Sequence, residues 1–404
     1  MRIIVFNCGS SSLKYRLIEM PGERELAAGE AERVGPKTAL PGRIVHKALG
    51  VSEEIQRDMP DHGAAFSAVM HLLERDARLV PEAIGHRMVH GGAKFKHHVV
   101  VDDACFKDLQ AVQDLAPIHN PPALSLLGAC RSLYPALPEV VVFDTAFHST
   151  LPPAARTYAL PTKLAARHGF RKYGFHGTSH HYVAQEAARF LGIPLSELRA
   201  VSCHLGSGGA SLCAIVNGKS VDNTMGYSPL QGLVMSTRSG DLDPSIALSM
   251  VARAEGDGRE VESLLNRKSG LLGLSGGASA DIRDLIVPGA KNMGGLGERA
   301  AQVYLWRIRK YLGAYLLVTE RPHCIIFTDT IGERIPAVRW AVAAGLDAFG
   351  VIMDPERNAS AIHLPAEISA AASRVRVLAI ATNEEIAIAR ECHALLSTSE
   401  RSPS

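Results

Sequence analysis

The chain carries one short pattern twice, and that repetition constrains its fold more than any other feature. Residues 2–7 and 13–19 are apolar runs separated by the Gly/Ser turn Cys8-Gly9-Ser10-Ser11-Ser12. Residues 199–205 and 210–216 are again apolar runs, separated by Gly206-Ser207-Gly208-Gly209, and Asn217-Gly218 then closes a hairpin. Short apolar runs bounded by glycine read as strands, and Asn-Gly favours the type I′ geometry. Two such strand–turn–strand units in one chain predict an internal duplication, with two similar α/β domains facing each other. Further strands are expected at 83–89, at 140–143 ending on Asp144-Thr145, at 324–327 and at 375–381. Helices are expected at 62–80, 245–254 (with Asp243 as cap and Pro244 at its first position), 298–318 and 384–396. Mixed strands and helices throughout give an α/β protein, and the last residues, 397–404, are expected to fray.

Composition narrows the function classes. A length of 404 residues predicts two or three domains. A net charge of +2 and only 5% aromatics leave no basic, stacking-rich surface for nucleic acid, so any anion site must be local. The opening apolar run Ile3-Ile4-Val5-Phe6 is cut short by Asn7, too soon for a signal peptide, and nothing approaches the ~18 apolar residues of a membrane span. The seven cysteines are scattered with no Cys-x-x-Cys pair, which predicts free thiols in a reducing cytosol rather than disulfides or structural zinc. A cytoplasmic protein with no membrane or nucleic-acid partner is the expectation.

Two motifs are decoys. Gly218-Lys219-Ser220 ends like a P-loop, but the required first glycine falls on Cys213. Gly273-Leu274-Ser275-Gly276-Gly277 fits a nucleophile elbow, but residues 266–272 make a poor strand, so a loop is expected there. The adjacent pairs His97-His98 and His180-His181 lack the spacing of a helical zinc site.

The residues that suit chemistry cluster at turns and strand ends. Each Gly/Ser turn places backbone N–H groups at a bend that can cradle phosphate oxygens, and Lys14 adds a point charge to the first. Taken alone, each is more often an ordinary hairpin; two related turns favour a divided phosphate site. Arg87, before Gly91-Gly92, is either a surface cation or a fork for a carboxylate or phosphate. Arg238 lies in Ser236-Thr237-Arg238-Ser239-Gly240-Asp241-Leu242-Asp243, where a salt bridge to Asp241 or Asp243 competes almost equally with anion binding. Asp144 is an acid, base or metal anchor, or a satisfied core acid. His176, between Gly174 and Gly177, is suited to lie close to a ligand, although a lone histidine is usually structural. Phosphoryl transfer needs cations and donors around the moving group and a bound Mg²⁺, which prefers oxygen ligands. Lys14, Arg87, Arg238 and His176 can supply the positive side, and Asn7, Asp144 and Glu384 can hold the ion.

Eight ordered blocks then resemble the acetokinase family, of the acetate and sugar kinase/Hsp70/actin superfamily. They are Asn7-Cys-Gly-Ser-Ser-Ser-Leu-Lys-Tyr15, Gly85-His-Arg-Met-Val-His-Gly-Gly92, Leu115-Ala-Pro-Ile-His-Asn-Pro121, Phe143-Asp-Thr-Ala-Phe-His148, Tyr173-Gly-Phe-His-Gly-Thr-Ser-His180, Met225-Gly-Tyr-Ser-Pro-Leu-Gln-Gly232, Thr237-Arg-Ser-Gly-Asp-Leu-Asp-Pro244 and Thr382-Asn-Glu-Glu385. The resemblance implies two duplicated actin-like (ribonuclease H-like) domains with a cleft between them. The first spans 1–147 and is completed by a helix from about residue 383 to 404; the second spans 148–382 and carries the donor site. It implies reversible phosphoryl transfer between acetate/acetyl phosphate and a nucleotide, and a homodimer. By position, Asn7 and Glu384 match the Mg²⁺ ligands (Mn²⁺ as the alternative ion), with Glu385 as fallback. Arg87 matches the carboxylate-binding arginine, Asp144 the essential aspartate, and His176 and Arg238 the transition-state stabilisers. Val89, Ile118, Phe175 and Pro229 match a small pocket for the acyl methyl. Ser12, Lys14, His204, Leu205, Gly206, Ser207, Gly208, Asp281, Ile282, Arg283, Thr330, Ile331, Gly332, Glu333 and Arg334 match the nucleotide and phosphate positions.

Three departures fall on the donor side. Ser207 stands where the family has Asn. Phe327-Thr-Asp-Thr-Ile-Gly-Glu-Arg334 replaces Phe-Thr-Gly-Gly-Ile-Gly-Glu-Asn, adding side chains at Asp329 and Thr330. The loop through Gly277 to Asp281 is one residue longer than usual. Adenine nucleotides remain the expected donor; pyrophosphate, phosphate or another nucleotide is the alternative. A propionate or butyrate kinase and a non-catalytic nucleotide-binding switch of the same fold are the other rivals, with a hydrolase weakest.

Overall fold

The computed structural model describes residues 1–35, 40–116, 119–253, 256–286 and 295–399. The chain divides into two compact units, Met1–Ala146 with Asn383–Ser404, and Phe147–Thr382.

The first unit is built on a sheet of β1 (Arg2–Cys8), β2 (Ser12–Glu19), β3 (Arg24–Glu32), β4 (Arg43–Ala48), β5 (Val51–Gln56), β6 (Ala83–Met88), β7 (Val99–Val100) and β8 (Glu139–Phe143). Their spatial order is β5-β4-β3-β2-β1-β6-β8-β7, with β1, β6 and β8 parallel to one another. The second unit contains β9 (Ala200–Leu205), β10 (Ala210–Val216), β11 (Lys219–Asn223), β12 (Cys324–Thr328), β13 (Ala366–Glu367) and β14 (Arg376–Ala379), ordered β11-β10-β9-β12-β14-β13. The cores of the two sheets share one plan. A three-strand antiparallel meander (β1-β2-β3, β9-β10-β11) continues through its first strand into two further parallel strands (β6 and β8, β12 and β14). The turns match as well: Gly9 N–H donates to Ser12 O and Gly206 N–H to Gly209 O, both at 2.9 Å.

Alternation along the strands builds the two faces of each sheet. Ile4 and Phe6 point into a core under the helix His62–Leu73, while Ile3 and Val5 pack with Val140, Val142, Ile388 and Cys392 of the helix Glu384–Ser399. Each such aliphatic side chain, fully buried, contributes about 1.5–3 kcal/mol. In the second unit the helix Gly177–Leu191 covers β9 and β12, with Val183, Ala184 and Ala187 against Ala200, Cys324 and Ile326.

Several elements differ from expectation. The helix expected at 62–80 stops at Leu73, because Asp76 accepts from the Arg78 N–H at 2.9 Å and starts a separate 3₁₀ turn, Ala77–Leu79. Strands β3–β5 were not foreseen. Gly29 of β3 is required there, since any Cβ would run into the Tyr15 ring and the Val45 carbonyl. Ser275 follows a short helix, Gly270–Leu274, and its hydroxyl donates to Leu272 O (3.0 Å) and Ser279 O (2.9 Å), so no strand leads into it. The described part of the last helix runs to Ser399 rather than ending at 396; residues 400–404 lie outside the described residues. All seven cysteines are free.

Candidate active site

In the first unit the alternation that buries Ile3 and Val5 brings Asn7 to the same face at the end of β1. It likewise carries Arg87 beyond Gly85 on β6, and Asp144 beyond Val140 and Val142 on β8. Three parallel strands therefore end in polar groups on the face covered by the C-terminal helix, and Glu384 opens that helix. Arg87 meets Asp144 as a two-point fork, Nε to Oδ1 at 3.1 Å and Nη2 to Oδ2 at 2.7 Å. Its remaining nitrogen, Nη1, lies 3.2 Å from Glu384 Oε2. Asp144 is 1% exposed, so the fork compensates a charge that burial would otherwise make costly. Burial works against the Arg87 charge, but Asp144 and Glu384 outweigh it and raise the guanidinium pKa further. The available donors — the Asn7 amide and the carboxylates of Glu384, Glu385 and Asp144 — all offer oxygen, which fits Mg²⁺.

Around the first turn, Ser12 accepts from Gly9, and Lys14 on β2 is exposed, 3.8 Å from Glu30. Glu385 lies 3.9 Å from Arg16. Cys8 is no nucleophile: burial pushes its thiol up to about 12. Val89 is half-buried just past β6, and Ile118 lies outside the described residues.

In the second unit, alternation turns Ser202 and His204 of β9, and Ser211 of β10, toward the helix Gly177–Leu191. His204 Nδ1 meets Ser179 Oγ at 2.8 Å, which in turn meets Thr382 Oγ1 at 2.9 Å. Ser211 Oγ is shared by His176 Nδ1 (2.9 Å) and His180 Nε2 (2.8 Å), and His180 Nδ1 meets Ser202 Oγ at 2.9 Å. Burial, then the neighbouring His204 and His148, drive the His180 pKa well down, so that ring is neutral. His176 occupies a left-handed φ of 57° at the start of the helix, and its ring centroid lies 4.2 Å from that of His204. Strain of this kind at a non-glycine residue persists where surrounding contacts hold it. Preceding it, Gly174 (φ +76°) packs against the His148 ring, and His148 Nε2 and the Asn223 amide hold the Phe175 carbonyl at 2.9 and 3.2 Å.

Arg238 resolves one open question. Asp241 is taken by the Tyr311 hydroxyl at 2.5 Å and by Arg307 at 3.7 Å, and Asp243 caps the helix Pro244–Arg253 through the Ser245 N–H at 2.8 Å. Among the described residues no carboxylate lies within ion-pair reach of Arg238, whose charge burial disfavours. A Cβ on Gly209 would touch the His176 ring at 3.4 Å and Arg238 Nη1 at 3.7 Å, so both side chains stand over the second turn.

The expected nucleotide residues are partly gathered. Gly206, Ser207, Asp281, Ile282 and Ile331 line one cavity with Tyr304. Its volume is only about 10 Å³, room for roughly one water. The Tyr304 hydroxyl is buried there with no hydrogen-bond partner among the described residues. Arg283 is turned onto Asp281 (Nε to Oδ1 2.9 Å), and Arg334 is exposed. Leu205 is buried, and Gly208 is exposed at the tip of the turn. The turn itself is occupied from inside. The Ser207 N–H donates to Thr330 Oγ1 at 3.0 Å, and the Ser236 hydroxyl donates to the Ser207 carbonyl. Asp329 (φ 63°) pairs with His204 Nε2 at 3.0 Å, and a side chain at Gly206 would collide with its carboxylate. Glu333 accepts from the N–H groups of Asp329 (2.9 Å) and Thr382 (2.8 Å), while buried Arg339 holds the carbonyls of Gly332 (3.1 Å) and Glu333 (2.6 Å). Pro229 is half-buried and Phe175 buried, both in this unit.

The network through Ser179, Ser202, Ser211 and His180 was missed from sequence. Its signal was available: His176 and His180 are one helical turn apart, and Ser202 and His204 alternate on one strand.

A profile of the Acetokinase family matches residues 2–390. An acetate kinase of Thermotoga sp. (strain RQ2) is 43% identical over 403 residues, covering 97% of this chain and 98% of the relative. The crystal structure of Porphyromonas gingivalis acetate kinase superposes with a TM-score of 0.89 at 35% identity, covering 98% of this chain and 99% of that one. That of a propionate kinase from Francisella tularensis subsp. tularensis SCHU S4 gives 0.86 at 34%, covering 96% and 98%. No helix among the described residues is long and apolar enough to cross a membrane.

Proposed function

The chain belongs to the acetokinase family, and from that premise we propose that it is an acetate kinase, transferring a phosphoryl group reversibly between acetyl phosphate and a nucleoside diphosphate. The observation that carries the chemistry is Arg238, a half-buried cation without a carboxylate partner among the described residues, standing with His176 over a Gly-rich turn. A transferring phosphoryl group spreads negative charge over its oxygens, and cations fixed in advance stabilise that charge most.

The roles divide between the units. In the first, Arg87 grips the acetate carboxylate. Asp144 holds the guanidinium plane by its two-point contact, so little rotamer freedom is lost on binding. Asn7 and Glu384 would hold Mg²⁺, with Glu385 as the nearest substitute. The ion when bound neutralises phosphate charge. Val89, Ile118, Phe175 and Pro229 would line the acyl pocket. In the second unit, the turn His204–Gly209 receives the donor phosphates, with Asp281–Arg283 and Thr330–Arg334 toward the nucleoside. His176 and Arg238 act on the moving group, and Ser211 orients the His176 ring through Nδ1.

ATP/ADP is the donor pair this reading favours, in the cytoplasm and in a homodimer. Support for self-association comes from Trp306 (73% exposed) and Leu317 (79%), about three turns apart on one face of the helix Leu296–Val318. The test is acyl phosphate formation from acetate, Mg²⁺ and ATP, trapped with hydroxylamine, with propionate, GTP and pyrophosphate in parallel. Acetyl hydroxamate from ATP is the expected product; none with any donor removes the reading.

A further inference from the structure

We propose that Asp329 is a specificity-determining residue for the phosphoryl donor: its carboxylate, paired with His204 above Gly206, is an internal anion seated in the donor-phosphate turn, which an incoming phosphate must displace. The inference rests on the donor-site reading above and deepens it.

Four observations converge. First, the space over Gly206 belongs to the Asp329 carboxylate, so the side of the turn that an anion would approach is already negative. Second, the histidine beside the turn is engaged at both ring nitrogens: His204 Nε2 is 3.0 Å from Asp329 Oδ2, while His204 Nδ1 is engaged by Ser179. Third, a backbone donor of the turn is also taken, the Ser207 N–H by Thr330 Oγ1, and Asp329 Oδ1 in turn accepts from the Thr330 N–H at 2.6 Å. Asp329, Thr330 and Ser207, the unusual side chains of the donor side, thus form one connected unit. Fourth, Asp329 holds a left-handed φ of 63°, a conformation that glycine takes freely. A residue kept there is fixed by its contacts, here Glu333 on its N–H and His204 on its carboxylate.

A cap for the following helix does not account for the arrangement. Capping Thr330 needs only Oδ1, whereas Oδ2 is turned back over the turn to His204. A like charge in a partly desolvated site repels phosphate, and the pairing with Asp329 occupies the His204 Nε2 that the donor would otherwise meet. Binding of anionic donors is therefore weakened relative to the same turn without the charge.

Asn is the informative substitution. It keeps the size, tolerates the left-handed backbone and can still bond His204, so Asp329→Asn removes only the charge. Calorimetric titration of the full-length protein with MgATP, without acetate, reads the effect directly. D329N is expected to lower the Kd for MgATP about tenfold, equivalent to ~1.4 kcal/mol, with a single cooperative thermal unfolding transition as the check on folding. An unchanged or raised Kd overturns the proposal, and a raised one assigns the carboxylate a supporting role instead. Should D329N fail to fold, Asp329→Gly, whose backbone suits this φ, is judged by the same criterion. Acetyl phosphate formation is followed in the same preparations. An active wild type whose MgATP affinity ignores the substitution sinks only the role of Asp329. An inactive wild type and inactive variants sink the acetate kinase reading, while the Kd shift remains measurable.

Discussion

The turns β1–β2 and β9–β10 have one backbone design and opposite states of occupation. Both close with a Gly N–H to a carbonyl three residues on, at 2.9 Å. Around the first, Ser10 and Ser11 are exposed, and the contacts are made from its rim: His62 Nε2 meets Gly9 O at 2.9 Å and the Val34 N–H donates to Ser11 O at 3.0 Å. In the second, Thr330, Ser236 and Asp329 reach the turn from other segments of the chain. The charges differ too. The strand ends of the first unit hold a self-compensated set, Arg87 between two carboxylates. Those of the second hold His–Ser bonds, one His–Asp pair and Arg238, which meets no carboxylate among the described residues. Topology fixes where side chains can converge; side-chain identity decides whether the place is a charged clamp, a donor cradle or a cradle that fills itself.

The largest test of that contrast is Arg238→Ala. A cation with no carboxylate partner among the described residues should matter to the reaction and little to the fold. Turnover should fall on the order of 10²–10³-fold, with thermal unfolding and the acetate KM close to wild type. Equal losses in stability would return Arg238 to a structural role. Arg87→Ala should behave in the opposite way. It leaves Asp144 and Glu384 facing each other without their cation, so stability should drop by about 2–3 kcal/mol in urea unfolding, along with a raised acetate KM. An R87A protein as stable as wild type would contradict the clamp. Thr330→Val is smaller: it frees the Ser207 N–H, and the donor KM should fall by a few-fold, the worth of about one hydrogen bond. A rise would mean the Thr330 hydroxyl itself serves the donor.

Much of this was legible from sequence where a strand announces its own end. In Ile3-Ile4-Val5-Phe6-Asn7 and Val140-Val141-Val142-Phe143-Asp144 the apolar run fixes the strand, and alternation then assigns the final polar residue to a face. Strands β3–β5 were not legible. Arg24–Glu32 reads RELAAGEAE, rich in residues that favour helices, and only pairing with β2 and β4 makes it extended. That Arg238 meets no carboxylate among the described residues was equally hidden. Asp241 and Asp243 are near in sequence, but Tyr311 and Arg307 on a distant helix claim the first, and a backbone N–H claims the second. The departures at Ser207, Asp329 and Thr330 were visible as unusual residues, but their contact with one another was not, because nothing in sequence brings 207 beside 330.

The finest test is the titration of Asp329. Burial alone would raise its pKa; the bond and charge of His204, with the Thr330 N–H, more than offset this and hold it below the ordinary carboxylate value of 3.8. A folded-state pKa below the unfolded one makes the ionised form the stabilising one. The contribution is therefore full at neutral pH, persists down to the ordinary carboxylate value, and is lost as pH falls through the lowered one. Its size should stay within about 1 kcal/mol, since the group is not fully buried. Comparing wild type with D329N by urea unfolding between neutral and acidic pH should show a constant difference that shrinks only below that value. Carbon NMR of the Asp329 carboxyl should then give a midpoint that rises in His204→Ala, where burial loses its main opponent. A midpoint indifferent to His204 would mean that the pair does not hold the carboxylate in the turn, and the difference between the two turns would reduce to the hydrogen bonds made by Thr330 and Ser236.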